Sequence, residues 1–150
     1  MKVVILRGIS GSGKSTLAKK LYQDTPGFKA IYSADHFFVQ TDGSYKFKPA
    51  KLGEAHRKCL LLFAKAMESS NDLLIVDNTN TTAMEIAPYA QLALAYGHAV
   101  EVITVECDLD VAASRNVHNV PRAVIVAQNI RLQAETKKLR SKWHHKVWNP

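Results

Sequence analysis

The chain has 150 residues, a formal net charge of +7, 47% hydrophobic and 22% charged residues. This is one ordinary globule with enough chain for a core, and no apolar run approaches the ~20 residues of a membrane span. Two cysteines, Cys59 and Cys107, lie in apolar segments without ligand spacing, which excludes a disulfide framework or zinc site and reads as reduced thiols.

The chain opens directly on an apolar run with no secretory segment, so a cytoplasmic location is expected, host cytoplasm if the chain is viral. The positive balance favours a polyanionic partner. Lys2-Val-Val-Ile-Leu-Arg7 reads as a buried parallel strand. Gly8-Ile-Ser-Gly-Ser-Gly-Lys-Ser-Thr16 follows and fits G-x-x-x-x-G-K-[ST]. Gly8, Gly11 and Gly13 let the backbone wrap a phosphate, with Ser10, Ser12 and Thr16 in the same cradle. Lys14 reaches the β- and γ-phosphates, and the Ser15 hydroxyl suits Mg²⁺. Leu17, Ala18, Leu21 and Tyr22 recur at helical spacing, so the loop opens a helix whose N-terminus favours anions. The cofactors expected are therefore ATP and Mg²⁺.

After a turn at Asp24–Gly27, residues 30–34 read as a second strand ending at Asp35. A carboxylate there faces the crevice where open α/β sheets bind ligands. Residues 36–48 form a loop or hairpin turning at Asp42-Gly43, with aromatics among lysines. Such a mixture can stack bases and meet phosphates, or simply pin the loop. Pro49 starts a helix over about 49–69 whose apolar stripe includes Cys59 and Phe63. His56 sits at the stripe's border, where a histidine is ordinarily structural.

Asp72-Leu-Leu-Ile-Val-Asp77 is an apolar strand ending in Asp, the Walker-B pattern, so Asp77 is the second metal-site candidate beside Ser15. Thr82 and Glu85 form a capping box for a helix over 83–96, which leaves Asn78 to Asn80 for substrate. Residues 99–106 read as the fourth strand. A short helix over about 111–116, started by Asp108 or Asp110, leads into Arg115-Asn-Val-His-Asn-Val-Pro-Arg122, with the make-up of a lid. Arg115 and Arg122 are placed to neutralise a transferring phosphoryl group. The tail, residues 137–148, is basic with two tryptophans. It either contacts nucleic acid or packs its rings on the domain, and residues 1–136 and 137–150 are read as one domain plus its own tail.

The order predicts an α/β fold with a mainly parallel sheet of four or five strands. No Asn-Lys-x-Asp guanine motif is present. A phosphate cradle, a strand-end Asp and an arginine lid together read as a phosphotransferase, with Asp35 deprotonating or orienting an acceptor hydroxyl.

The set Gly8–Thr16, Tyr32-Ser-Ala-Asp-His-Phe-Phe38, Ala55-His56, Val76-Asp-Asn-Thr-Asn80 and Arg115–Pro121 resembles the polynucleotide-kinase branch of P-loop kinases. It is especially similar to the kinase-like domain of the NEDD4-binding-protein-2 group and to small phage kinases, over about residues 1–135. The resemblance implies a nucleic-acid hydroxyl as acceptor, DNA ahead of RNA: a 5′-OH end, or the hydroxymethyl group of 5-hydroxymethyluracil in phage DNA. It implies Asp35 as general base, Lys14 and Arg115 as transition-state stabilisers, Ser15 as a Mg²⁺ ligand, and Asp77 organising the metal's water or the acceptor site. Arg122 of the lid is read as a nucleotide-binding candidate, although the family lid carries two arginines closer together than Arg115 and Arg122. Asp77, Asn78, Asn80, His36 and His118 are then the substrate-side candidates, and no stable protein partner is expected. In one departure, an Arg shortly after the general-base Asp is replaced by Phe and Val. This leaves an internal base open as acceptor. The competing readings are a metabolite kinase of the shikimate or gluconate type and a non-catalytic nucleotide-gated binding module.

Overall fold

A computed structural model describes residues 1–139 and 143–150. Five strands, β1 (Lys2–Arg7), β2 (Lys29–Tyr32), β3 (Leu73–Asp77), β4 (Ala99–Val105) and β5 (His145–Trp148), form one sheet in the order β2-β3-β1-β4-β5. Every neighbouring pair is parallel. Five α-helices connect them: α1 (Lys14–Asp24), α2 (Leu52–Ala66), α3 (Ala83–Ala95), α4 (Leu109–Arg115) and α5 (Arg122–Glu135).

Alternation along β1 sorts the core. Val3 and Ile5 point to the face covered by α2 and α3, where they meet Ala55, Cys59, Phe63, Ile86 and Ala90. Val4 and Leu6 point to the opposite face and meet Leu17 and Ala18 of α1. Helices on both faces of a parallel sheet explain why β1, β3 and β4 are apolar almost throughout. A third cluster joins Ile9 of the glycine loop to Ala112, Ile125 and Leu132 of α4 and α5.

The chain from β1 crosses to one side of the sheet to make β2, and the chain from β3 crosses β1 to make β4 on the other. The direction therefore reverses at β1, and the crevice beyond its C-terminal end is the ligand position of such sheets. Leu6 of β1 stands beside Asp77 of β3, and Tyr32 of β2 beside Val76. That register carries the glycine loop, Asp77 and the chain leading to Asp35 to one edge.

Several boundaries differ from the sequence reading. The second strand ends at Tyr32, and Asp35 belongs to a 3₁₀ helix, Ala34–Phe38, where the Ser33 hydroxyl accepts from the Asp35 amide. The helix expected over 49–69 is a 3₁₀ turn at Pro49–Lys51 followed by α2. Asp108, rather than Asp110, caps α4, accepting from the amides of Asp110 and Val111. The capping box at Thr82 and Glu85 is present. Cys59 and Cys107 are both free thiols.

The tail supplies the fifth strand. Trp143 is buried in the α2–α3 side of the core, and β5 pairs with β4 from Val102↔His145 to Val105↔Trp148. Lys20 lies over the Trp148 ring. The reading of packed tryptophans describes Trp143, whereas Trp148 is exposed. Arg140, Ser141 and Lys142 of the basic run lie outside the described residues.

Candidate active site

The loop Gly8–Gly13 leaves the sheet at its centre and is anchored from behind. Arg7, the last residue of β1, is fully buried. Its guanidinium donates to the carbonyls of Asn80 (3.3 Å), Thr81 (3.0 Å) and Leu132 (3.0 Å) and to the hydroxyls of Thr104 (3.1 Å) and Thr136 (3.2 Å). Burial lowers its pKa to about 10, against the opposing charges of Glu135 and Glu85, so it remains a cation at neutral pH. Gly8 donates to the Thr79 carbonyl. Gln128 of α5 accepts from the Ser10 amide at 2.9 Å and donates to the Ser10 hydroxyl at 3.1 Å. Gly11 has a φ of 81°, and a Cβ there would land on the Ala112 carbonyl of α4. This glycine therefore admits the lid helix as well as turning the loop.

At the front the donors are open. α1 begins on Gly13, in the left-handed region at φ 101°, with no side-chain cap on its first amides. Those amides and the helix dipole form an anion seat. Lys14 is buried, and its ammonium donates to the Ile9 carbonyl at 2.9 Å. Burial lowers its pKa, while Asp77 and Asp35 push it back up. Ser12 is fully buried, and its hydroxyl finds no hydrogen-bond partner among the described residues. An orphaned hydroxyl inside a glycine-walled cradle fits a phosphate-binding loop.

Ser15 donates to Asp77 Oδ2 at 2.6 Å. No group of three or more His, Cys, Asp or Glu side chains among the described residues could hold a metal. The donor set is one hydroxyl and one carboxylate, hard oxygen ligands of the kind Mg²⁺ takes when phosphates and water complete its shell. Such an ion, when bound, supplies charge neutralisation at the phosphates.

A cavity of about 270 Å³ lies over this seat. It is lined by Ser10, Gly11, Gly13 to Thr16, Asp77 to Thr79, Asp35, and Arg115 to His118 from the lid. Asp35 is half exposed, with its carboxylate between two rings: Tyr45 Oη donates to Oδ1 at 2.9 Å, and His118 Nε2 stands 3.6 Å from Oδ2. Arg115 also lines a second cavity of about 460 Å³, with Ile9, Cys107, Asp108, Asn149 and Pro150.

Three sequence candidates find other employment, and His36 lies away from the site. Asn80, at φ 44°, is buried and donates to the Leu6 carbonyl at 2.7 Å, so it braces β1 rather than facing substrate. Asn78 lines the cavity, yet its side chain is engaged behind it, accepting from the Ala34 amide at 2.8 Å and lying against Cys59. It positions the Asp35 helix. Arg122 pairs with Asp110 on the outside of the lid and lines neither cavity. His36 is exposed and also outside both cavities, as is His56. Within the Asn78–Asn80 run left for substrate, Thr79 lines the cavity beside Asn78. The sequence reading missed Tyr45, Gln128 and Arg7. Only Tyr45 carried a signal, as an aromatic beside lysines in the hairpin.

A parallel sheet reversing at β1, a glycine loop opening onto α1, and an inward Lys14 beside the Ser15–Asp77 pair define a P-loop kinase fold. The profile of the AAA_33 family, described as AAA domain, matches residues 3–139, and the chain belongs to that family of P-loop kinase domains. It is 36% identical over 129 residues to human NEDD4-binding protein 2, covering 82% of this chain but only 7% of that protein's length. Among solved structures, a chain of the Pnkp1/Rnl/Hen1 RNA repair complex superposes with a TM-score of 0.74 at 17% identity, covering 93% of this chain and 46% of that one. A gluconokinase from Sinorhizobium meliloti 1021 superposes at 0.65 with 14% identity, covering 99% of this chain and 82% of the enzyme. At these identities both likenesses concern the fold. No helix among the described residues is long and apolar enough to cross a membrane.

Proposed function

We propose that the protein is an ATP-dependent nucleic-acid kinase that transfers the γ-phosphoryl group to a hydroxyl on DNA or RNA. The observation that carries this reading is the sharing of one cavity by Asp35 and the phosphate seat, with Arg115 on the lid above them. Asp35 takes the proton of the acceptor hydroxyl. The acceptor oxygen forms a bond to the γ-phosphorus, the bond to the β,γ-bridging oxygen breaks, and ADP leaves with that electron pair. Lys14, the α1 amides and Arg115 counter the charge on the phosphoryl oxygens. Ser15 and Asp77 would hold Mg²⁺. The 460 Å³ cavity beyond Arg115 has room for the nucleoside part of ATP.

A polyanionic acceptor is supported by the net charge of +7 and by exposed Lys46, Phe47 and Lys48 on the hairpin strand that carries Tyr45. The RNA repair complex among the structural relatives points the same way. The gluconokinase likeness keeps a metabolite acceptor as the competing reading.

The test is transfer from γ-labelled ATP with Mg²⁺ to a 5′-OH oligonucleotide, a duplex containing 5-hydroxymethyluracil, and a panel of sugar acids and polyols. Label in a nucleic-acid end or internal base is the expected result. Label only in a metabolite overturns the choice of acceptor, and label in none overturns the kinase assignment.

A further inference from the structure

The two rings on Asp35 are held very differently. Tyr45 closes a hairpin in which Val39 pairs with Tyr45, the Gln40 amide donates to the Ser44 carbonyl at 2.7 Å, and the Lys46 amide donates to the Phe38 carbonyl at 2.9 Å. Gly43 at φ 84° makes the turn, and Asp42 accepts from the Ser44 amide and hydroxyl. The Tyr45 ring meets the buried Phe38 edge-on at 6.1 Å, and Phe38 in turn meets Phe37 and Phe47. Burial and the Asp35 carboxylate push the Tyr45 phenol well above its ordinary pKa, so it stays a donor.

His118 is held loosely. It lies in the segment between α4 and α5, closed on itself by the Asn116 side chain on the Val120 carbonyl and by Asn119 at φ 53°. Among the described residues no backbone hydrogen bond ties residues 117–120 to the sheet. His118 touches Asp35 beyond hydrogen-bonding distance and covers the Tyr45 ring, centroids 4.1 Å apart and planes tilted by 30°. One flat group thus occupies both a carboxylate oxygen facing the cavity and the face of a rigid aromatic ring.

We propose that Tyr45 fixes the Asp35 carboxylate, and that the acceptor enters by replacing His118, its hydroxyl on Asp35 Oδ2 and a planar ring on the face of Tyr45. The proposal rests on Asp35 being the general base. It names the acceptor class: a hydroxyl carried close to a flat heterocycle, as in a nucleoside or hydroxymethylated base, rather than an aliphatic polyol. Tyr45 positions Asp35 and offers its ring face to the acceptor, and His118 is the group the acceptor displaces. Asp35 keeps the chemistry, with Lys14 as the charged group across the cavity.

The test compares Tyr45→Phe, Tyr45→Leu, His118→Ala and Asp35→Ala in the full chain, using γ-labelled ATP and a 5′-OH oligonucleotide. ATP affinity, measured separately, reports that each cradle is intact. Tyr45→Phe keeps the ring and loses the donor. Its kcat should fall roughly tenfold, with acceptor KM unchanged, because a freed carboxylate loses its aim. Tyr45→Leu should add a roughly tenfold rise in acceptor KM through lost stacking. His118→Ala should lower acceptor KM by removing the competitor.

A Tyr45→Phe variant with wild-type kcat, or one whose loss falls on acceptor KM instead, overturns the positioning role. A Tyr45→Leu KM equal to that of Tyr45→Phe overturns the stacking face, and a raised or unchanged KM in His118→Ala overturns the exchange. If Asp35→Ala transfers normally, the base assignment fails first. If Asp35→Ala is crippled and Tyr45→Phe is not, this inference alone fails.

Discussion

Arg7 and Lys14 are both buried cations on one glycine loop, and they are treated in opposite ways. At the loop's root, Arg7 donates to five oxygens drawn from the β3–α3 connection, β4, α5 and the turn after it. At the mouth, Lys14 donates to a single carbonyl of its own loop, above uncapped helix amides. Both pay desolvation, but only the root is repaid within the fold. Unmet polar capacity in front of full satisfaction behind is what separates a binding seat from a structural cation.

Removing each cation should sharpen that contrast. Lys14→Ala should lower transfer by on the order of 10³-fold or more while holding or raising stability by about 1 kcal/mol, since a poorly compensated buried charge is lost. A drop in the urea midpoint comparable to that of Arg7→Met would erase the distinction. Arg7→Met should cost about 3–4 kcal/mol in urea unfolding, because buried carbonyls of Thr81 and Leu132 lose their donor.

Gly11→Val sits between root and mouth. It should cost about 2–4 kcal/mol and displace α4, because a side chain meets the Ala112 carbonyl in a left-handed backbone. Weakened ATP binding, read by calorimetry, is expected with it.

The smallest effect lies at the far end of the root network. Thr104, which accepts from Arg7, lies 2.7 Å from His145 Nε2 in β5. Burial and then the Arg7 charge hold the His145 pKa below 6.5, with Glu106 opposing. Between the folded value and 6.5 the unfolded chain binds more protons, so stability rises with pH across that window. It should be lost as pH falls from about 6.5 through the folded value. His145→Gln should flatten this part of the pH–stability curve. An unchanged slope would place the acid sensitivity elsewhere.

The mouth was legible in the sequence because its chemistry is local. Nine consecutive residues state the cradle, and strand-end aspartates state their own edge once the strands are parallel. The root was not legible, since Arg7 meets Thr136, and Ser10 meets Gln128, across more than a hundred residues. Asn80 and Arg122 were misplaced for a related reason. A polar residue beside a motif faces either the cavity or the scaffold, and only the packed neighbours, Leu6 and Asp110, decide which. The fifth strand was hidden because four short residues in a basic tail pair only with a β4 already in place.

The account depends most on Asp35 standing across from the phosphate seat as the base. Single-turnover transfer of labelled phosphate from saturating ATP to a 5′-OH oligonucleotide, wild type against Asp35→Ala, measures it directly. The expected result is a rate lowered roughly 10²–10⁴-fold with ATP affinity unchanged. An Asp35→Ala rate equal to wild type would contradict the account.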